Sequence, residues 1–225
     1  MKNFLIRNKY RVLFMAVLFT VIFIAMQKAL TPKKVLPILQ PDQFDPELVD
    51  DSMLFVKKYH KIAPFSLINQ NGDTITQADY TGKIYVADFF FTTCPTICPI
   101  MTTNMARLQE EFKDDPEVVF LSHSVTPEYD TPAILKAYAQ DKGVLDHKWN
   151  LVTGDKEQIY NLARKSYLAV KDAPYGGKYD MVHTENFLLV DKEGRLRSRS
   201  YDGTLESDIN ALIEDIYILK ESYID

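Results

Sequence analysis

Cys94 and Cys98 are the two cysteines of this 225-residue chain, and they stand in the run Thr93-Cys94-Pro95-Thr96-Ile97-Cys98-Pro99. If that C-x3-C run is helical, both sulfurs share one face a turn apart. They can then converge on one small ion, or close a disulfide across about 6 Å of Cα separation. A helix N-terminus at this point supplies free N–H groups and partial positive charge, which favour the thiolate that metal binding and thiol exchange both require. Thiolates are soft donors and select Cu(I) over Mg or Ca, whereas a zinc site normally wants four ligands. A small scaffold stapled by disulfides is excluded, because such folds spread several bridges along the chain.

A third donor must come from elsewhere in the sequence. The four histidines are His60, His123, His147 and His183. His60, ahead of the first expected hairpin, and His147, after the turn at Leu145-Asp146, read as surface residues. His123 lies in the apolar strand LSHSV and reads as a core histidine or one supporting a ligand from behind. His183 ends the loop from Ala173 to Val182 and stands just before a strand, so the loop can carry it inward. Without a metal, the pair could cycle between dithiol and disulfide and reduce the cysteines of a partner. A peroxidase of the peroxiredoxin type wants Thr three residues before its reactive cysteine, and that position is Phe91. The blandest alternative is two sulfurs packed in the core or joined in an inert bridge. Met101 and Met105, at helical spacing, read as core residues rather than thioether ligands.

The elements that must position these residues follow from periodicity. Phe65 to Ile68, Asn71-Gly72 and Ile75 suggest a hairpin with a type I′ turn. Ile84 to Phe91, IYVADFFF, is apolar and aromatic throughout and bounded by turn residues, which predicts a central strand buried on both faces. Met101, Met105, Leu108 and Phe112 then recur at helical spacing. The order is strand, cysteine loop, helix. Val118 to Val125 predicts the next strand, Asp130-Thr131-Pro132 opens a helix to about Gln140, and Trp149 to Val152 is a third strand. Asp155 with Gln158 resembles a capping box before another helix. Phe187 to Val190 and Leu196 to Tyr201 form a closing hairpin, and Leu205, Ile209, Leu212, Ile213 and Ile216 mark a last helix. This order fits an α/β three-layer sandwich with an N-terminal hairpin, and it places the cysteine pair at the C-terminal end of a central strand, where open α/β sheets bind ligands.

Val12 to Met26 is uncharged with only Thr20 polar, and basic residues flank it on both sides. It reads as a retained signal anchor in residues 1–34, because no small-x-small cleavage site follows. Residues 35–54, with Pro37, Pro41 and Pro46 and no period, read as a linker, and 55–225 as the domain. Residues 1–34 carry seven basic and no acidic side chains, which leaves 19 basic against 31 acidic in the remainder, a balance of −12. So acidic a body, without basic clusters interleaved with aromatics, argues against nucleic-acid binding. The 46% hydrophobic and 25% charged composition argues against disorder and collagen-like classes.

Four motifs in order, Thr93-Cys94-Pro95-x-x-Cys98-Pro99, Val125-x-Pro127-Glu128-x-Asp130-Thr131-Pro132, Trp149-Asn150-Leu151-Val152-Thr153-Gly154, and His183 before LLVDKEGRL, resemble the Sco/SenC family over about residues 55 to 220. The resemblance implies a membrane-anchored, thioredoxin-like protein that binds copper, as Cu(I) or alternatively Cu(II), through Cys94, Cys98 and His183. It further implies delivery to the CuA-bearing subunit of cytochrome c oxidase and a protein donor of copper, while the N-terminal signal anchor, with its N-terminus inside, is expected to export the domain, to the periplasmic side of a bacterial inner membrane. As a redox pair, Cys94 and Cys98 would be the reactive residues. Where the family commonly has V-D-P-E-R-D-T, this chain has Val125-Thr126-Pro127-Glu128-Tyr129-Asp130-Thr131, losing an acid and an arginine.

Overall fold

The structure is a computed structural model that describes residues 8–30, 34–43, 52–170 and 184–224. The chain divides into two compact units between Val35 and Leu36. In the first, helix α1, Lys9–Leu30, has 22 residues. It rises roughly 33 Å at about 1.5 Å per residue, long and apolar enough to cross a membrane by length and composition. The apolar run Val12 to Met26 is thus extended at both ends. Leu13, Phe14, Phe19 and Ile24 point outward from it on all sides, so no stripe marks a face for packing against protein.

In the second unit, seven strands form one sheet: β1 (Ser66–Asn69), β2 (Thr74–Thr76), β3 (Ile84–Phe90), β4 (Val118–Ser124), β5 (Trp149–Thr153), β6 (Asn186–Val190) and β7 (Leu196–Asp202). They lie in the order β2-β1-β5-β4-β3-β6-β7. The central pairs β3/β4 and β4/β5 are parallel, and the flanking pairs are antiparallel. The crossovers run through helices α2 (Ile97–Glu111) and α3 (Pro132–Lys142). Helix α4 (Lys156–Asn161) continues in a wider turn over Leu162–Ser166, and α5 (Glu206–Glu221) closes the chain. Every residue of β3 and β4 is buried, as a strand covered on both faces requires.

Alternation along β3 divides the core. Tyr85, Ala87 and Phe89 face a layer made by α4, Phe65 and Tyr167. Ile84, Val86 and Phe90 face the opposite layer, where Met101, Met105 and Leu108 of α2 meet Leu135 of α3 and Ile209, Leu212 and Ile216 of α5. Both methionines are fully buried. This is the α/β sandwich with helices on both faces, thioredoxin-like in kind.

Local chemistry differs from expectation at two turns. The β1–β2 connection is not type I′: Gly72 has φ 84°, but Asn71 is not at positive φ. The Asn69 side chain organises a longer loop instead, its Oδ1 accepting from the N–H groups of Asn71 and Asp73 at 2.9 Å. Helix α3 opens as expected at Asp130-Thr131-Pro132, with Thr131 as the cap, its Oγ1 accepting from the Ile134 N–H. Asp155 caps α4 by accepting from the Gln158 N–H at 2.7 Å, but the reciprocal arm of the capping box is absent. Gln158 Oε1 accepts instead from the Ser66 N–H at 2.8 Å.

Residues 36–39, within the stretch read as a linker, lie along β7. Leu36 is buried. The Ser198 N–H donates to Pro37 O at 3.0 Å, the Leu39 N–H donates to Leu196 O at 2.9 Å, and Ile38 pairs with Arg197 as an antiparallel bridge. Arg197 fixes the arrangement from inside, donating through Nη2 to Leu36 O at 2.7 Å and through Nη1 to the buried carboxylate of Asp191 at 2.9 Å.

Candidate metal centre

Strand β3 ends at Phe90, and the chain turns at once: the Cys94 N–H donates to Phe91 O at 3.2 Å, closing a β-turn with Thr92 and Thr93 at its centre. Helix α2 begins only at Ile97. Cys94 is therefore a loop residue and Cys98 sits in the first helical turn, so the pair is brought together by the turn and not by shared helical periodicity. The result is a thiol placed on the free donors of a helix N-terminus.

Both cysteines are free and buried, at 6% and 3% exposure. Their environments differ. Burial pushes the Cys94 thiol up, but the backbone N–H groups of Cys98 and Thr96 and the side chains of both residues outweigh it and bring the thiol down to about 7. The Thr96 hydroxyl lies 3.7 Å from the Cys94 sulfur. Burial pushes the Cys98 thiol up to about 12, a backbone contact at Phe91 opposing and the charges of Cys94 and Asp88 adding to the rise. One sulfur is thus about half thiolate at neutral pH, and the other ionises only when a cation or a bond to sulfur displaces its proton.

Asp88 is the one charged residue in the apolar run of β3, and it faces the same layer as the cysteines. It accepts from the Ser122 hydroxyl, which in turn accepts from Trp149 Nε1 at 2.8 Å. Burial pushes its carboxyl up to about 7. An acid in the centre of IYVADFFF is itself a signal that sequence reading can use, because a charge enters a fully buried strand only where donors await it. Asp130, part of the run that opens α3, is fully buried and accepts from Thr92, Ser124 and Thr126.

Of the histidines, His147 is exposed. His60 corrects the expectation of a surface residue: it is 7% exposed, its Nε2 lies 2.7 Å from Ser166 O, and its backbone N–H donates to Gln40 Oε1. His123 is fully buried on the sheet face away from Cys98, its ring stacked on Phe89 with centroids 4.8 Å apart. Its Nδ1 lies 3.3 Å from Asp88 O, and burial takes its pKa down to about 4. His183 lies outside the described residues. Among the described residues, no group of three or more His, Cys, Asp or Glu side chains is placed to hold a metal ion. The structure brings together Cys94 and Cys98, and it brings neither His60, His123 nor His147 to them.

A family model described as SCO1/SenC matches residues 56–217. The chain belongs to the SCO1/SenC family. Among its relatives, the SCO1 protein homolog of Bacillus subtilis is 33% identical over 159 residues, 70% of this chain and 81% of that one. The solved structure of BsSco, described as holding a disulfide switch and as a member of the Sco family of cytochrome c oxidase assembly proteins, superposes with TM-score 0.62. It is 32% identical and covers 74% of this chain and 95% of its own. ScoI of Arabidopsis thaliana, solved with copper bound, superposes with TM-score 0.56 at 27% identity over 72% of this chain and 98% of its own.

Proposed function

We propose that this SCO1/SenC chain takes up copper as cargo at Cys94, Cys98 and His183 and passes it on during assembly of the CuA centre of cytochrome c oxidase. The observation that carries the reading is the meeting of two free sulfurs at the start of α2, one of them held well below the ordinary thiol range. Two thiolates and a neutral imidazole around Cu(I) make a trigonal site of net charge −1, and such soft, three-coordinate ligation suits an ion that leaves by stepwise ligand exchange. The copper-bound relative and the oxidase-assembly description of BsSco support the same reading. Its partners are then the CuA-bearing subunit and a protein donor of copper. Helix α1 anchors the protein in the membrane, with the domain on the periplasmic side of a bacterial inner membrane.

Anaerobic titration of the detergent-solubilised full chain with Cu(I) against a competing chelator tests the ligand set. One ion per chain is expected, with affinity reduced at least 100-fold by Cys94→Ser, Cys98→Ser or His183→Ala. Unchanged affinity in all three variants would overturn it.

The split between the two thiols favours a second activity on the same atoms. A Cys94 thiolate can attack a partner disulfide, and the Cys98 thiol then closes the intramolecular bond. Cys94 and Cys98 give up two electrons and two protons, and the partner's disulfide becomes two thiols. The disulfide switch described for BsSco is in keeping with this. Incubating the reduced chain with an oxidised dithiol peptide and counting free thiols on each species decides it; no exchange beyond the buffer rate would remove the activity.

A further inference from the structure

The β-turn that delivers Cys94 has a buried handle. Thr92 is its first central residue, and Asp130 holds Thr92 twice: Oδ2 accepts from the Thr92 N–H at 3.2 Å, and Oδ1 accepts from its hydroxyl at 2.5 Å. The same carboxylate accepts from Ser124 Oγ at 2.6 Å and Thr126 Oγ1 at 3.1 Å, both at the end of β4. Four hydrogen bonds meet the acceptor capacity of the two oxygens, which a fully buried carboxylate requires. The chain turns sharply at both strand ends here, and Val125 N–H donating to Phe90 O at 2.9 Å continues the β3/β4 ladder up to that point. Asp130 thus welds the cysteine turn to the neighbouring strand just where the ladder stops.

Thr126 fits the same arrangement. In the pattern this chain resembles, that position is commonly acidic, and a second carboxylate beside Asp130 could not donate. A threonine hydroxyl can.

We infer that Asp130, acting through Thr92, is a positioning residue for Cys94: it fixes the turn in which the Cys94 sulfur meets Cys98 and the start of α2. The inference rests on the copper and thiol reading given above and deepens it. A turn held at one central residue through both backbone and side chain spares the ordering entropy that a free loop must give up each time the two sulfurs close on an ion or on one another. Releasing that hold lowers the effective concentration of one sulfur at the other.

The test compares two hydroxyl deletions on the same carboxylate in the full chain. Thr92→Val removes the shorter of the two bonds to the cysteine turn and leaves the Thr92 N–H bond, and Ser124→Ala removes one to β4. Each leaves Asp130 one donor short, and Ser124→Ala also takes the acceptor from the Thr126 N–H, so the thermal midpoint should fall at least as far in Ser124→Ala as in Thr92→Val. Thr92→Val alone is expected to make the Cys94–Cys98 disulfide of the metal-free protein about tenfold easier to reduce, a potential about 30 mV higher for this two-electron couple. It should also weaken Cu(I) binding about tenfold. Ser124→Ala should stay within about twofold on both. Thr92→Ser, which keeps the hydroxyl, should behave as the unaltered chain. Equal shifts from Thr92→Val and Ser124→Ala, no shift from Thr92→Val, or a shift from Thr92→Ser as large as from Thr92→Val would each overturn the inference. If the unaltered protein takes up no copper, the functional reading falls, and the disulfide equilibrium still decides the role of Asp130.

Discussion

Asp88 and His123 are neighbours through the His123 ring and the Asp88 carbonyl, and burial shifts both toward their neutral forms. Their effects on stability run in opposite directions. Asp88 binds its proton more tightly folded than unfolded, so its contribution is fully present below about pH 4 and is lost as pH rises through about 7. His123 binds its proton less tightly folded than unfolded, so stability falls as pH drops from about 6.5 through about 4. Between these limits the two slopes offset one another. Asp88→Asn is therefore expected to remove the slope that falls with rising pH, a departure from the unaltered profile of about 3 kcal/mol between pH 5 and pH 8 for the roughly two units from pH 5 to about 7. His123→Phe should remove the opposing slope, so that stability rises as pH falls from 6.5 towards 5. Urea unfolding at pH 5, 6, 7 and 8 checks both, and parallel pH profiles for the variants and the unaltered protein would show that neither group titrates as described. At this scale the sequence was legible where chemistry is local: the C-x3-C pair and His123 as a core residue can be read directly. His60 was misread and the hold of Asp130 on the cysteine turn went unseen because both are fixed by partners far along the chain, Ser166 for one and Thr92 for the other, and no window of neighbouring residues contains those partners.

Among the elements, the strands and helices follow the apolar periods closely, since β3, β4 and the buried stripe of α2 are dictated by which faces must leave water. What periodicity cannot give is the segment from Leu36 to Gln43, which is held by hydrogen bonds to β7 and its surroundings and buries only Leu36 and Pro41. Its order comes from backbone pairing with an edge strand and from Arg197, and neither leaves an alternating pattern in so short a piece. If this segment is part of the folded unit, Leu36→Ala costs about 2–3 kcal/mol, the range for emptying a buried leucine site. A plain tether would show no change. Chemical denaturation of the full chain in detergent, followed through the Trp149 fluorescence, separates the two outcomes.

For the molecule as a whole, charge and anchoring are set in different places. All seven basic residues of positions 1–34 lie before or after the apolar run Val12 to Met26 of α1, while the remainder carries −12. The reading of α1 as an anchor predicts that the full chain stays with the membrane fraction after an alkaline carbonate wash. It also predicts that a protease added to spheroplasts digests the domain; a protected domain would place it on the cytoplasmic side. Composition alone made the acidic body and the apolar helix visible, whereas the direction of export comes from the reading of the anchor and not from the fold.

The two margins of the sheet also bear on how such a protein survives at high local density. One border is β2, three residues long with threonine at both ends, and the other is β7, occupied by the molecule's own residues 36–39. Unpaired strand borders are templates for adding a strand from another molecule, and short or covered ones are not. A fragment beginning at residue 44 would bare β7 and should self-associate by cross-chain strand addition, so the few residues after α1 also act as a guard against aggregation.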